Sequence, residues 1–167
     1  LTAPSFSSSM AVANATCIGS SNGSAAVTAT GGSSPYSYMW SGSQTTSSVT
    51  GLAAATYIVQ ITDTNNCTIS DTAVVSQPAA IAITLSKTNV SCYGGSNGTA
   101  IAGVTGGTSP YSYLWNNGNT TNSISVLNAG KYYVSVTDSC GTFKKDSVKI
   151  TQPAQLVATI SKTNVHC

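Results

Sequence analysis

Apolar and polar side chains alternate at every second position along much of this chain. TYIVQIT sets Tyr57, Val59 and Ile61 on one face, and KYYVSVT sets Tyr132, Val134 and Val136 alike. A period of two, filled by β-branched and aromatic residues, predicts strands. YSYMW and YSYLW likewise align Tyr36, Tyr38 and Trp40, or Tyr111, Tyr113 and Trp115, with Ser37 and Ser112 turned the other way. No segment shows helical periodicity between caps. Gly31-Gly32 and Gly106-Gly107, followed by Pro35 and Pro110, separate the strands, because Gly admits positive φ and Pro fixes its own. Asn22-Gly23, Asn97-Gly98 and Asn117-Gly118 add tight-turn signals. The predicted strands are 6–13, 24–30, 36–41, 45–51, 56–63 and 69–76, and the same set 75 residues later.

That recurrence is a sequence repeat. Cys17, Cys92 and Cys167 stand 75 residues apart, and about 34 of 75 positions are identical between the copies without a gap. Residues 1–16 match 76–91 in register, so the expected domains are 1–78, 79–153 and, as the start of a third copy, 154–167. Any export signal or anchor is expected outside these residues. SQP at 76–78 and TQP at 151–153 join the copies by short, Gly-free linkers, which predicts a semi-rigid rod rising ~35–40 Å per unit.

Short antiparallel strands in about 75 residues predict a two-sheet sandwich, since a single sheet would leave an aromatic face wet. The stretches Leu52 to Tyr57 and Leu127 to Tyr132 resemble the tyrosine corner of immunoglobulin-like and fibronectin type III domains. The fold class is therefore all-β, tandem immunoglobulin-like sandwiches. The antibody Cys-Trp-Cys core is not reproduced, because the cysteines fall at loop sites.

Composition narrows the function. Arg and Glu are absent, four Asp are the only acids, and six Lys the only permanent cations. A net charge of +2 is too thin for a nucleic-acid-binding stripe, and no apolar run approaches the ~18–20 residues of a membrane-spanning helix. A 75-residue unit buries only roughly 60–65% of its unfolded surface, so a covalent staple would help it fold. Cys17, Cys67, Cys92, Cys140 and Cys167 suit disulfides in an oxidising compartment. No C-x-x-C occurs and His166 has no ligand partner at usable spacing, so no metal or other cofactor is expected.

Two pairings are open. Within units, Cys17 joins Cys67 and Cys92 joins Cys140, leaving Cys167 a partner outside the chain; across the seam, Cys67 joins Cys92 and Cys140 joins Cys167. Loop-closure entropy separates them by only ~0.6 kcal/mol. The within-unit pairs are preferred, because a small domain gains most from tying its early loop to its late one. Cys140 sits two places before the position matching Cys67, so that loop is expected to be rebuilt in the second unit.

The string Cys-x-Gly-x-x-Asn-Gly, then Thr-Gly-Gly-x-x-Pro-Tyr-x-Tyr-x-Trp, then Leu-x-Ala-x-x-Tyr-x-Val and Thr-Asp, resembles the SprB repeat of gliding-motility adhesins and other giant surface proteins of Bacteroidota. The resemblance covers both units; Ala55 and Cys140 depart from it. It implies an extracellular, tandemly repeated adhesin stalk exported by the type IX secretion system and, in gliding bacteria, carried along the cell by a membrane motor. It further implies Asp-Ser/Thr-apolar O-glycosylation at Thr72 and Ser147.

Catalysis is not expected. Each unit lacks a base to activate its hydroxyls, and Asp63 and Asp138 are too isolated for paired carboxylate work; both read as turn residues binding backbone. The aromatic ladder of Tyr36, Tyr38 and Trp40 reads as core, with a sugar-stacking platform as its rival. Tyr93 and Tyr133, replacing Ile18 and Ile58, are the candidates for exposed ligand contact. Lys144, Lys145 and Lys149 read as protection of an edge strand, against contact with an acidic polysaccharide. The favoured function is a spacer whose partners are neighbouring repeats. The alternatives are a carbohydrate-binding array recognising surface polysaccharide and a laterally self-associating filament.

Overall fold

A computed structural model describes residues 5–164. The chain divides into two compact units, Leu1–Ile81 with Gly106–Pro110 and Ala82–Thr105 with Tyr111–Cys167. The first repeat contains β1 (Ser7–Ala13), β2 (Gly23–Thr30), β3 (Ser37–Trp40), β4 (Ser48–Leu52), β5 (Ala55–Thr62) and β6 (Thr68–Val75). The second contains β7 (Ala82–Thr88), β8 (Gly98–Thr105), β9 (Ser112–Trp115), β10 (Ser123–Leu127), β11 (Gly130–Thr137) and β12 (Phe143–Ile150). These lie close to the predicted spans, because alternation specifies a strand interior while Gly and Pro punctuate its ends.

Each repeat is an immunoglobulin-like sandwich of two antiparallel three-stranded sheets. In the first the orders are β1-β2-β4 and β3-β5-β6; in the second, β7-β8-β10 and β9-β11-β12. The inner faces carry Trp40, Val59 and Ile61, or Trp115, Val134 and Val136, all nearly inaccessible. Tyr36, Tyr38 and Tyr57 pack half-buried against the first core, and Tyr111, Tyr113 and Tyr132 against the second. The aromatic ladder is thus core. Each buried indole also satisfies its N–H: Trp40 Nε1 donates to Thr46 O and Trp115 Nε1 to Thr121 O, both at 2.9 Å. The tyrosine corner is formed in both repeats, Tyr57 Oη donating to Ala53 O and Tyr132 Oη to Asn128 O at 3.1 Å.

Two glycine readings change. Gly23 and Gly98 are not turn residues but the buried first residues of β2 and β8. A Cβ on Gly23 would meet Val75 Cγ1 at 2.6 Å and Leu52 O at 2.9 Å; on Gly98 it would meet Ile150 Cγ2 and Leu127 O at 2.9 Å. Close approach of the neighbouring strands requires glycine there. Residues 154–164, read as the opening of a third copy, form no strand and are exposed.

Candidate functional site

The features that distinguish the repeats from a generic sandwich lie in two loops at opposite ends of each. The early loop, residues 14–22, follows β1 and is tied to the exit of β6. Ala15 N donates to Ser76 O at 2.9 Å, Ser76 N donates to Asn14 Oδ1 at 2.9 Å, and Gly19 N donates to Gln77 Oε1 at 2.7 Å. Asn22 Oδ1 accepts from Thr16 N at 3.0 Å, folding the loop back on itself. The second repeat repeats this with Val90 N to Thr151 O, Thr151 N to Asn89 Oδ1, Gly94 N to Gln152 Oε1 and Ser91 N to Asn97 Oδ1. Gln77 and Gln152 escape sequence reasoning because they look like linker residues. Their recurrence 75 positions apart, each before a Pro, is the available signal.

The late loop, residues 63–67, lies at the entry of β6. Asp63 is buried, and its Oδ1 accepts from Asn65 N and Cys67 N at 2.9 Å while Oδ2 accepts from Ser33 N at 3.0 Å. Burial opposes its charge, but these backbone donors outweigh that, and its carboxyl lies below the ordinary value of 3.8. Asp138 Oδ1 accepts from Cys140 N at 3.0 Å and Thr142 N at 2.8 Å. The expectation that both acids bind turn backbone fits this geometry. The expectation of a rebuilt second loop does not: Asp63 N to Cys67 O and Asn66 N to Asp63 O recur as Asp138 N to Thr142 O and Gly141 N to Asp138 O. The aspartate holds the same five-residue turn whichever position carries the cysteine.

The loops decide the cystine question. Cys17 and Cys140 are disulfide-bonded, whereas Cys67 and Cys92 are free and exposed. The preferred within-unit pairs, Cys17–Cys67 and Cys92–Cys140, are therefore not formed, nor is the seam pair Cys67–Cys92. The physical reason within each repeat is distance. The early loop is fastened at the exit of an eight-residue strand and the late loop precedes its entry, so about 25 Å of β6 or β12 separates them. A disulfide needs Cα atoms roughly 4.4–6.8 Å apart. Cys167 lies outside the described residues.

The remaining predicted residues do not converge. Tyr93 is exposed in the early loop, while Tyr133 is exposed on the outer face of β11. Thr72 is exposed on the outer face of β6 opposite Ile58, and Ser147 is half-buried opposite Tyr133. Around Tyr133 the outer face carries Leu114, Asn116, Ser135 and Lys145, lining a shallow depression. Lys131 Nζ stands 5.0 Å over the Tyr133 ring. β12 is a sheet edge, as its lysines suggest, and Lys145 and Lys149 share the outer face with Ser147. Among the described residues no three His, Cys, Asp or Glu cluster to hold a metal ion, and no helix is long and apolar enough to cross a membrane.

The sequence profile of the SprB repeat matches residues 9–45 and again 84–120, spanning β1 to β3 and β7 to β9 with both early loops. The SprB repeat thus matches this chain twice, once in each unit of the 75-residue period. No curated protein matches this chain. Solved structures similar to this chain include the amphioxus IgVJ-C2 molecule, 16% identical over 72% of this chain and 90% of that one, with a TM-score of 0.38. The IG1+IG2 pair of DIP-gamma is 10% identical over 87% and 90%, with a TM-score of 0.43. The N-terminal four Ig domains of Dscam1 isoform 9.44 are 12% identical over 87% and 41%, with a TM-score of 0.40. Two matches to the SprB repeat fit a repeat segment of a cell-surface adhesin.

Proposed function

We propose that this chain is a non-enzymatic stalk segment of a large repetitive extracellular adhesin, a semi-rigid spacer that serves surface attachment and gliding. The observation that carries the reading is the doubled SprB repeat, with both buried aspartates committed to backbone donors and the large aromatics turned into the cores. Such a unit offers length and stiffness instead of chemistry. Domain boundaries at 78 and 153, export by type IX secretion and O-glycosylation at Thr72 and Ser147 belong to the same proposal. Intact-mass measurement of protein secreted by its own host tests the glycan: no added mass at either residue removes that part.

Electron microscopy of a longer array tests the spacer. Isolated thin rods are expected, and ordered lateral bundles would replace the stalk with a filament. A carbohydrate-binding array has one observation in its favour, the outer face where Tyr133, Leu114, Lys131 and Lys145 gather. Glycan-array binding by the two-repeat chain, abolished by Tyr133→Ala, would establish that reading.

A further inference from the structure

Each repeat keeps one cysteine at either end, and one of the two is bonded. In the first repeat the early-loop Cys17 is in a disulfide and the late-loop Cys67 is free. In the second, the late-loop Cys140 is in a disulfide and the early-loop Cys92 is free. Both kinds of loop therefore form cystines, and each exposed thiol has a bonded counterpart in the same kind of loop of the sister repeat. Neither can close within its own repeat, for the reason of distance given above.

The ends also differ in polarity. The early loop lies where the chain leaves a repeat, fastened to Ser76 and Gln77 or to Thr151 and Gln152. The late loop of the first repeat lies where the chain enters. Gly32 there is flanked by Asp63 and Phe6, and Phe6 stacks on Tyr36 with ring centroids 5.7 Å apart. A repeat added head to tail presents its late loop to an early one, and its early loop to a late one; this is a heterologous contact that propagates.

We propose that Cys67 and Cys92 are covalent coupling sites for further copies of the repeat: Cys67 bonds the early-loop cysteine of another repeat and Cys92 the late-loop cysteine. This rests on reading the chain as part of a longer array, and makes the cysteines links between repeats, never staples within one. The oxidant is a disulfide such as oxidised glutathione. The Cys67 thiolate attacks one of its sulfurs and expels a glutathione thiolate. The incoming cysteine thiolate then attacks the Cys67 sulfur and expels the second. Two protein thiols lose two protons and two electrons, which leave as two glutathione thiols.

The full chain supplies the test, with Cys167→Ser throughout to remove the remaining cysteine, oxidised glutathione as oxidant, and non-reducing electrophoresis with peptide mapping as readout. The expected result is multimers joined from Cys67 of one copy to Cys92 of the next. Adding Cys67→Ser or Cys92→Ser abolishes them in each variant alone, and mixing the two variants yields a dimer and nothing larger. A disulfide dimer in either variant alone, a Cys67–Cys92 bond inside one chain, or persistent monomer would overturn the proposal. The thiol readout is independent of glycan binding and of rod or bundle morphology, so its failure is distinguishable from failure of the stalk reading.

Discussion

At the late loop the first repeat reads DTNNC and the second DSCGT, yet Asp63 and Asp138 fold both into one turn with matching backbone bonds. At the bulge before β5 and β11, by contrast, one residue separates the copies. Gly51 has φ of 72° and Val126 has φ of 58°, in the same left-handed region. The first case shows a side chain fixing a loop so firmly that a cysteine can move two places within it. The second shows a fold imposing a conformation that a β-branched residue adopts only under strain. The copies share a frame set by few groups and vary elsewhere, as in the lysines of β12 against the uncharged outer face of β6.

The shared frame is broken most severely at the indoles. Trp40→Ala and Trp115→Ala should each cost the repeat that holds it about 3–5 kcal/mol in denaturant unfolding, and an unequal loss would show that the cores are not equivalent. The bulge comes next. Gly51→Val should destabilise the first repeat by about 1–2 kcal/mol, while Val126→Gly should stabilise the second by about the same amount, less the entropy of a new glycine. Both follow from φ alone, because a Cβ on Gly51 meets nothing nearer than Ser21 O at 3.9 Å. Tyr57→Phe and Tyr132→Phe should each lose about 1 kcal/mol, the value of one corner hydrogen bond.

The smallest effect is electrostatic. Because the Asp63 carboxyl is depressed below 3.8, its contribution is present above that value and is lost as pH falls through its lower folded value. Melting temperature should therefore drop on acidification in that window. Asp63→Asn should flatten the dependence while lowering the plateau at neutral pH, and an unchanged acid limb in the variant would assign it to other groups.

The strands, the inward Trp and Tyr, the tyrosine corner and the Asp-held turns were legible in the sequence, since alternation, Gly-Pro punctuation and acid-in-turn chemistry are local. The cysteine partners were not. Separation along the chain gives loop entropy but not the end of the sandwich at which a loop emerges, and about 25 Å of strand decides against closure. Gln77 and Gln152 were equally hidden, because a linker glutamine gains meaning only when a distant loop presents Gly19 N or Gly94 N to it.

The sequence by itself determined the period, the inward and outward faces and the turn sites, all properties of neighbouring residues. Only the tertiary structure decided which cysteines can meet, because a disulfide needs its two loops at the same end.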